Sequence, residues 1–307
     1  MISNFFSKSK PIHYIVVSLV LFAVFVFAKF DSLSENLDFV SFTKQTAFFL
    51  LSLLSVFLFD FFVTRNSLTK KNSYNIILFV LFFAILPQTI LNSQALVANF
   101  FILLALRRLM SLRTQKDIKK KLFDASFWIS IATLFYFWSS VFLVLVFAAL
   151  LIYRITDIKN YIIPLIGIAT VAIITMAYLI IMGIDELNFV SGLFDFSLDF
   201  SQLNSKQIII GSTILLSFGL WSLFYYVKNL KSKMKSYRSS FILVLIATLL
   251  GLVIIGFAPS KNGSEFIFLF APLSIIITNY LEVISEKWFK EVFIWVLLLT
   301  PVAILLL

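Results

Sequence analysis

Arg107-Arg108-Leu109-Met110-Ser111-Leu112-Arg113-Thr114-Gln115-Lys116-Asp117-Ile118-Lys119-Lys120-Lys121 separates two apolar stretches, residues 75–106 and 122–153. Each stretch runs 32 residues, too long for one membrane-spanning helix of about 20 residues and short for two. How they are read decides which side of a membrane every later segment occupies. Charge settles the matter, because Lys and Arg hold loops on the cytoplasmic side. Of 25 Lys and Arg, 21 fall in six short segments between apolar runs. With Lys8 and Lys10 inside, two crossings bring Arg65, Lys70 and Lys71 back inside. If 75–106 is a hairpin, the quoted run stays inside. If 122–153 is another, so do Arg154 and Lys159, then the cations of 228–238, then Lys287 and Lys290. Only Lys29, Lys44, Lys206 and Lys261 are left outside. A single crossing in either stretch flips everything after it and destroys the bias. Both stretches carry suitable midpoints. Pro87-Gln88 and Asn92-Ser93-Gln94 are turn and helix-start chemistry. Tyr136-Phe137-Trp138-Ser139-Ser140 is an interfacial aromatic cluster beside polar residues.

The expected fold is all-α: a polytopic transmembrane helical bundle of about eleven spans forming a single integral membrane domain over residues 1–307, N-terminus inside and C-terminus outside. The spans are expected near 12–29, 46–63, 75–89, 93–106, 122–136, 139–153, 161–182, 208–227, 239–257, 265–283 and 291–307. The hairpin helices are short, which requires local thinning of the bilayer or burial behind longer helices. Residues 1–28 mimic a secretory signal, with Lys8 and Lys10 before an apolar run and Val26-Phe27-Ala28 at its end; the spans that follow favour an uncleaved first helix. With eight glycines, Phe, Leu and Ile rather than GxxxG contacts must fill the interfaces.

Composition excludes several classes. Mean hydropathy is +1.03 and only 13% of residues are charged, too few for a soluble domain of this length. Cysteine is absent, which removes disulfides and thiolate chemistry, and the single His13 rules out a His-rich metal site. The net charge of +10 is explained by anionic lipid headgroups, so membrane lipids are the expected partner and nucleic acid is not. The chain carries no P-loop, GxSxG elbow, HExxH or dinucleotide fingerprint.

Acidic residues sort the other way, eight outside against four bases. Carboxylate chemistry is therefore expected outside. Asp31 and Glu35, four residues apart just past the first span, are the candidate catalytic pair, as a general base or as ligands of a divalent cation. A solvated loop is the competing account. Residues 194–201 alternate apolar and polar, which fits an interfacial segment carrying Asp195 and Asp199 on one face. Asp195, Asp199 and Glu265 are the candidate substrate or ion ligands; no dedicated metal site and no other cofactor is expected. Asp60, flanked by large apolar residues, is either functional or snorkels toward the inner interface beside Arg65. Asn92, Gln94 and Asn99 either line a polar cavity or bond between helices. Arg107, Arg108 and Arg113 are the candidate ligands for an anionic lipid or a phosphate, with topology anchoring as the alternative.

The opening Met1 through Pro11-Ile12, the stretch Ile90-Leu-Asn-Ser-Gln through Arg107-Arg108, and Gly263-Ser-Glu265 through Asn279-Tyr280-Leu-Glu282 resemble an uncharacterised family of Bacteroidota polytopic inner-membrane proteins. That resemblance spans the whole chain, brings no activity, and implies a multi-pass protein of a bacterial inner (cytoplasmic) membrane. A weaker resemblance is to polytopic glycosyltransferases that use lipid-phosphate sugars. It rests on an acidic loop after the first span and on Phe266-Ile-Phe-Leu-Phe-Ala-Pro272-Leu entering a late span. The first loop lacks Asp-Asp or Asp-x-Asp, there is no large outer domain, and outward arginines are missing. This likeness implies a polyprenyl-phosphate-sugar donor and transfer at the outer face, with Asp31 or Glu35 as base. A non-enzymatic scaffold or assembly subunit of an envelope complex is the alternative, and a small-solute transporter the third reading.

Overall fold

Pro11 opens a helix and Pro87 breaks one in the computed structural model, which describes residues 2–30, 38–184, 195–259 and 261–305. Those residues are helical almost throughout and form no strand. The helices are α1 (Ile2–Phe6), α2 (Pro11–Ala28), α3 (Phe39–Arg65), α4 (Tyr74–Ile85), α5 (Gln88–Leu91), α6 (Ser93–Ser111), α7 (Ile118–Phe135), α8 (Leu143–Ile152), α9 (Lys159–Met182), α10 (Lys206–Leu230), α11 (Lys235–Phe257), α12 (Ile267–Val283) and α13 (Lys287–Leu305). Short 3₁₀ turns precede α8 and α12. Seven helical segments are long and apolar enough to cross a membrane: Pro11–Ala28, Phe39–Arg65, Ser93–Thr114, Lys159–Met182, Lys206–Leu230, Lys235–Phe257 and Ser264–Val283.

Both 32-residue stretches are broken. Pro87 disfavours helix at the residue before it, and Leu86 leaves the helical region at φ −126° and ψ 75°. Asn92 then starts α6 by accepting from the Ala95 N–H at 3.1 Å. Tyr136 breaks the second stretch at φ −144° and ψ 101°. Contacts at the ends show that the chain reverses at each break. The start of α4 and the end of α6 lie at one end of the bundle, where Arg107 and Arg108 share a cavity with Arg65 and Asn66. At the other end Lys29 donates to the Leu91 carbonyl and Asn92 donates to Ser264 Oγ. Likewise Gln115, before α7, donates to the carbonyl of Tyr153, after α8, while Trp138 between them donates to the Asp195 carbonyl at the far end.

α12 is the axis: every residue from Ile267 to Leu281 is buried. α4 beside it is buried over all but one of its 12 residues. The short helix thus sits behind longer ones. Phe59 stacks on Phe79 at 4.6 Å between ring centroids, and Phe83 meets Phe270 edge-on at 5.3 Å, filling the space between α3, α4 and α12. The periphery is apolar and exposed, as on α9, where Ile173, Ile180 and Ile181 face outward. Glycine still matters at two close approaches. A Cβ on Gly167 would stand 2.1 Å from Ser126 Oγ of α7, and one on Gly211 would stand 2.8 Å from the Ile85 carbonyl oxygen. Aromatic filling and small-residue contacts therefore coexist.

Candidate functional site

The basic end is tied together by carboxylates and amides near the helix ends. Glu291 accepts the N–H groups of Ile2 and Ser3, docking α1 against α13. Glu282, in the last turn of α12, accepts from the Lys70 N–H at 2.7 Å and from Asn72 Nδ2 at 2.6 Å. Asn279 donates to the Leu68 carbonyl and accepts from Lys233 Nζ. Burial lowers the Lys233 ammonium from its usual range, while Glu282 opposes that shift. Asp60 is a node of this end: Tyr14 donates to it at 2.6 Å and Asn75 at 3.0 Å, joining α2, α3 and α4. Its polar partners are therefore on other helices, rather than Arg65 at the interface.

Against this framework lies a cationic cleft in two adjoining lobes. One, of about 520 Å³, is lined by Arg65, Arg107, Arg108, Arg113 and Lys121 beside Phe61 and Phe62. The other, of about 640 Å³, is lined by Arg113, Arg154, Lys235 and Arg238 beside Tyr153 and Ile152. Arg113 belongs to both walls. No Asp or Glu lines either lobe among the described residues. Arg108 is neutralised by Asp124 at 2.8 Å. Lys121 is pinned by the Ser111 carbonyl at 2.8 Å and by Thr114 Oγ1 at 2.7 Å. Arg107 lies over the Phe61 ring and Arg113 over the Tyr237 ring, at 4.9 and 3.9 Å from the centroids. Stacking of this kind fixes a guanidinium and leaves its N–H edge available.

Backbone geometry points the same way. Gln115 and Arg154 adopt φ of 52° and 53°, the left-handed region. Arg154 occupies the position after α8 where helices commonly end in glycine: the Ile155 N–H returns to the Leu150 carbonyl and the Arg154 N–H to that of Leu151. A side chain there is retained against its conformational cost, and it lines the cleft.

The expected trio Arg107, Arg108 and Arg113 is thus gathered at one cleft, with Arg108 internally paired. Sequence reasoning missed Arg65, Lys121, Arg154, Lys235 and Arg238 as partners. The only signal for them was that their segments share one side in the charge pattern.

The described residues among the other candidates lie at the opposite end. Asp31 and Glu35 lie outside the described residues. Residues 195–200 form neither helix nor strand, with Phe196, Leu198 and Phe200 exposed. Asp199 closes a local turn by accepting the Ser201 N–H at 2.9 Å, which holds its carboxyl below the usual range. Asp195 takes part through its backbone carbonyl, which accepts from Trp138. Glu265 is 1% exposed and neither carboxylate oxygen has a hydrogen-bond partner. The backbone N–H groups of Asn262, Gly263 and Glu265 face it, short of hydrogen-bond geometry. Lys261, wholly buried, donates to the Gly256 carbonyl at 2.6 Å under the Phe200 ring, with Glu265 and Asp199 in its field. Burial lowers its ammonium from the ordinary range. Asn92 spends its side chain on α6 and Ser264, while Asn99 is buried with its Nδ2 unpartnered. No group of three His, Cys, Asp or Glu gathers as metal ligands among the described residues.

Comparison with curated proteins and with solved structures finds no match to this chain. One family model matches it over residues 1–306, nearly its full length. The chain therefore belongs to that family, a family of unknown function designated DUF6427.

Proposed function

We propose that this is an eleven-span protein of a bacterial cytoplasmic membrane, its basic end and N-terminus inside and its C-terminus outside, whose inner face binds a phosphate-bearing lipid. Four helical segments add to the seven long apolar ones: α4, α7, the turn-and-helix segment Phe137–Ile152, and α13. The observation that carries the functional reading is the cleft, in which eight Lys and Arg side chains from four of the six basic segments converge without a lining carboxylate among the described residues. Juxtamembrane cations of this kind attract anionic headgroups by about 1 kcal/mol each. Exposed Phe61 and Leu151, on helices that border the cleft, offer apolar surface for the chains below. The test is lipid binding by the purified protein. Arg107→Gln and Arg113→Gln are expected to weaken retention of phosphatidylglycerol over phosphatidylcholine by about ten-fold together, which is what loss of one to two such contacts gives. Equal retention by wild type and variants refutes it.

A narrower reading is favoured by Glu265. A buried carboxylate without a hydrogen-bond partner, beside Lys261 at the end opposite the cleft, supports an outward-facing acid–base site. Under this reading the lipid is a polyprenyl-phosphate sugar and the protein transfers the sugar, with Asp31 or Glu35 as base. Asp31→Asn, Glu35→Gln and Glu265→Gln are then expected to abolish complementation of a deletion strain while the protein still inserts. Full complementation by all three removes the transferase. Stoichiometric co-purification of another envelope protein in mild detergent favours the scaffold instead, and substrate-dependent flux in proteoliposomes favours the transporter.

A further inference from the structure

We propose that the two lobes of the basic cleft form one site for a lipid headgroup carrying two linked phosphates. This rests on the phosphate reading of the cleft and goes beyond it by fixing the number and connection of the charges. The lobes are separate cavities, each large enough for a phosphate and its oxygen contacts, and they meet at Arg113. Arg113 carries no protein hydrogen bond or ion pair among the described residues and its guanidinium lies over the Tyr237 ring, 3.9 Å from the centroid, so its N–H groups are left for a phosphate. Each lobe keeps further cations of its own: Arg65 and Arg107 in one, Arg154 and Lys235 in the other. None of these four side chains is paired with a carboxylate among the described residues. The other cations are already spoken for: Arg108 with Asp124 and Lys121 with Ser111 and Thr114 in the first lobe, and Arg238 with the carbonyls of Lys231 and Lys233 in the second. What remains is balanced: two uncommitted cations on each side and one shared between them.

A headgroup with one phosphate satisfies one lobe and leaves the other's cations facing each other. Two such lipids satisfy both lobes but must share Arg113 and bring two sets of chains to one cleft. A headgroup with two phosphates joined covalently fills both lobes in a single event, and the second contact becomes intramolecular. Two sources supply that chemistry: a glycerol-bridged bis-phosphate lipid of the cardiolipin type, or a prenyl diphosphate. Separate lobes either side of one arginine favour the longer bridge.

The experiment uses the full chain in neutral detergent, with native mass spectrometry against tetraoleoyl cardiolipin, dioleoyl phosphatidylglycerol and farnesyl diphosphate. The expected result is one bound cardiolipin, at an affinity above that of phosphatidylglycerol by roughly 100-fold, the lower end of the gain from linking two contacts. Arg107→Gln in one lobe and Arg154→Gln in the other are each expected to remove most of that gain, and the double variant little more. Farnesyl diphosphate outcompeting cardiolipin also supports two linked phosphates and assigns the source as prenyl. Equal affinities for all three lipids overturn the linked site while leaving the phosphate reading intact. So do two bound phosphatidylglycerols of which each variant removes one. Binding of none of the three overturns both. The variants must melt with the wild type; if Arg154→Gln does not, Lys235→Gln reports on the same lobe without touching the left-handed residue.

Discussion

Replacing Gly167 by alanine sets two effects of known size against each other. The new Cβ would lie 2.1 Å from Ser126 Oγ, 3.1 Å from the Phe123 carbonyl oxygen and 3.2 Å from the Phe127 nitrogen. The Ser126 hydroxyl can rotate, losing its bonds to the carbonyls of Leu122 and Phe123. The backbone atoms of α7 cannot, so α9 must back away by a few tenths of an ångström. Overpacking of this kind costs about 1–3 kcal/mol. Alanine within a helix gains about 0.8–1.0 kcal/mol over glycine. The clash prevails, for a net loss of about 1 kcal/mol. Gly256→Ala is the control. It sits in α11 with nothing within 4 Å of its Cβ position, so only the helical gain applies. The assay is the midpoint of SDS-driven unfolding, followed by circular dichroism. Gly167→Ala is expected to fall and Gly256→Ala to rise, with Ser126→Ala added to Gly167→Ala restoring part of the loss. If both glycine variants shift the midpoint upward by similar amounts, α9 does not lie on α7 as described.

Three further outcomes are expected. Tyr14→Phe and Asn75→Ala each remove a donor from Asp60 and are expected to cost about 0.6 kcal/mol, typical of bonds between membrane helices; a double-mutant cycle through Asp60→Leu should show that the effects depend on the carboxylate. Glu282→Ala releases the Lys70 N–H and Asn72, and amide exchange at Lys70 should quicken while that of α12 is unchanged. The chain lacks cysteine, so single substitutions map its sides cleanly. Asn262→Cys should react with an impermeant maleimide in intact cells and Lys116→Cys only after permeabilisation; the reverse pattern inverts the topology.

Helix positions were legible because apolar length and charge are local. The breaks at Leu86 and Tyr136 followed from Pro87 and from an aromatic-polar cluster, both visible in the chain. The cleft was half legible. The run 107–121 announced Arg107, Arg108 and Arg113, but that Arg154 and Lys235 stand across from them depends on how α7, α8 and α11 pack. Asp60 shows the same limit: its neighbours in sequence suggested Arg65, whereas Tyr14 and Asn75 reach it from other helices. For Glu265 the surroundings in sequence, with Gly263 and Ser264 before it, resemble an exposed turn. Its burial comes from α5 and α11 closing over that turn.

The buried helix α4 also constrains the order of assembly. Its 12 residues reach about 18 Å, well short of a hydrocarbon core of about 30 Å. Left alone in lipid, such a segment exposes both polar ends to the bilayer interior. Its shelter is α12, which leaves the ribosome almost 200 residues later. During synthesis α4 must therefore wait, held by α3 on one side or shielded by the insertion machinery. Truncation anywhere before Val283 is expected to leave it without its main partner and to mark the fragment for degradation.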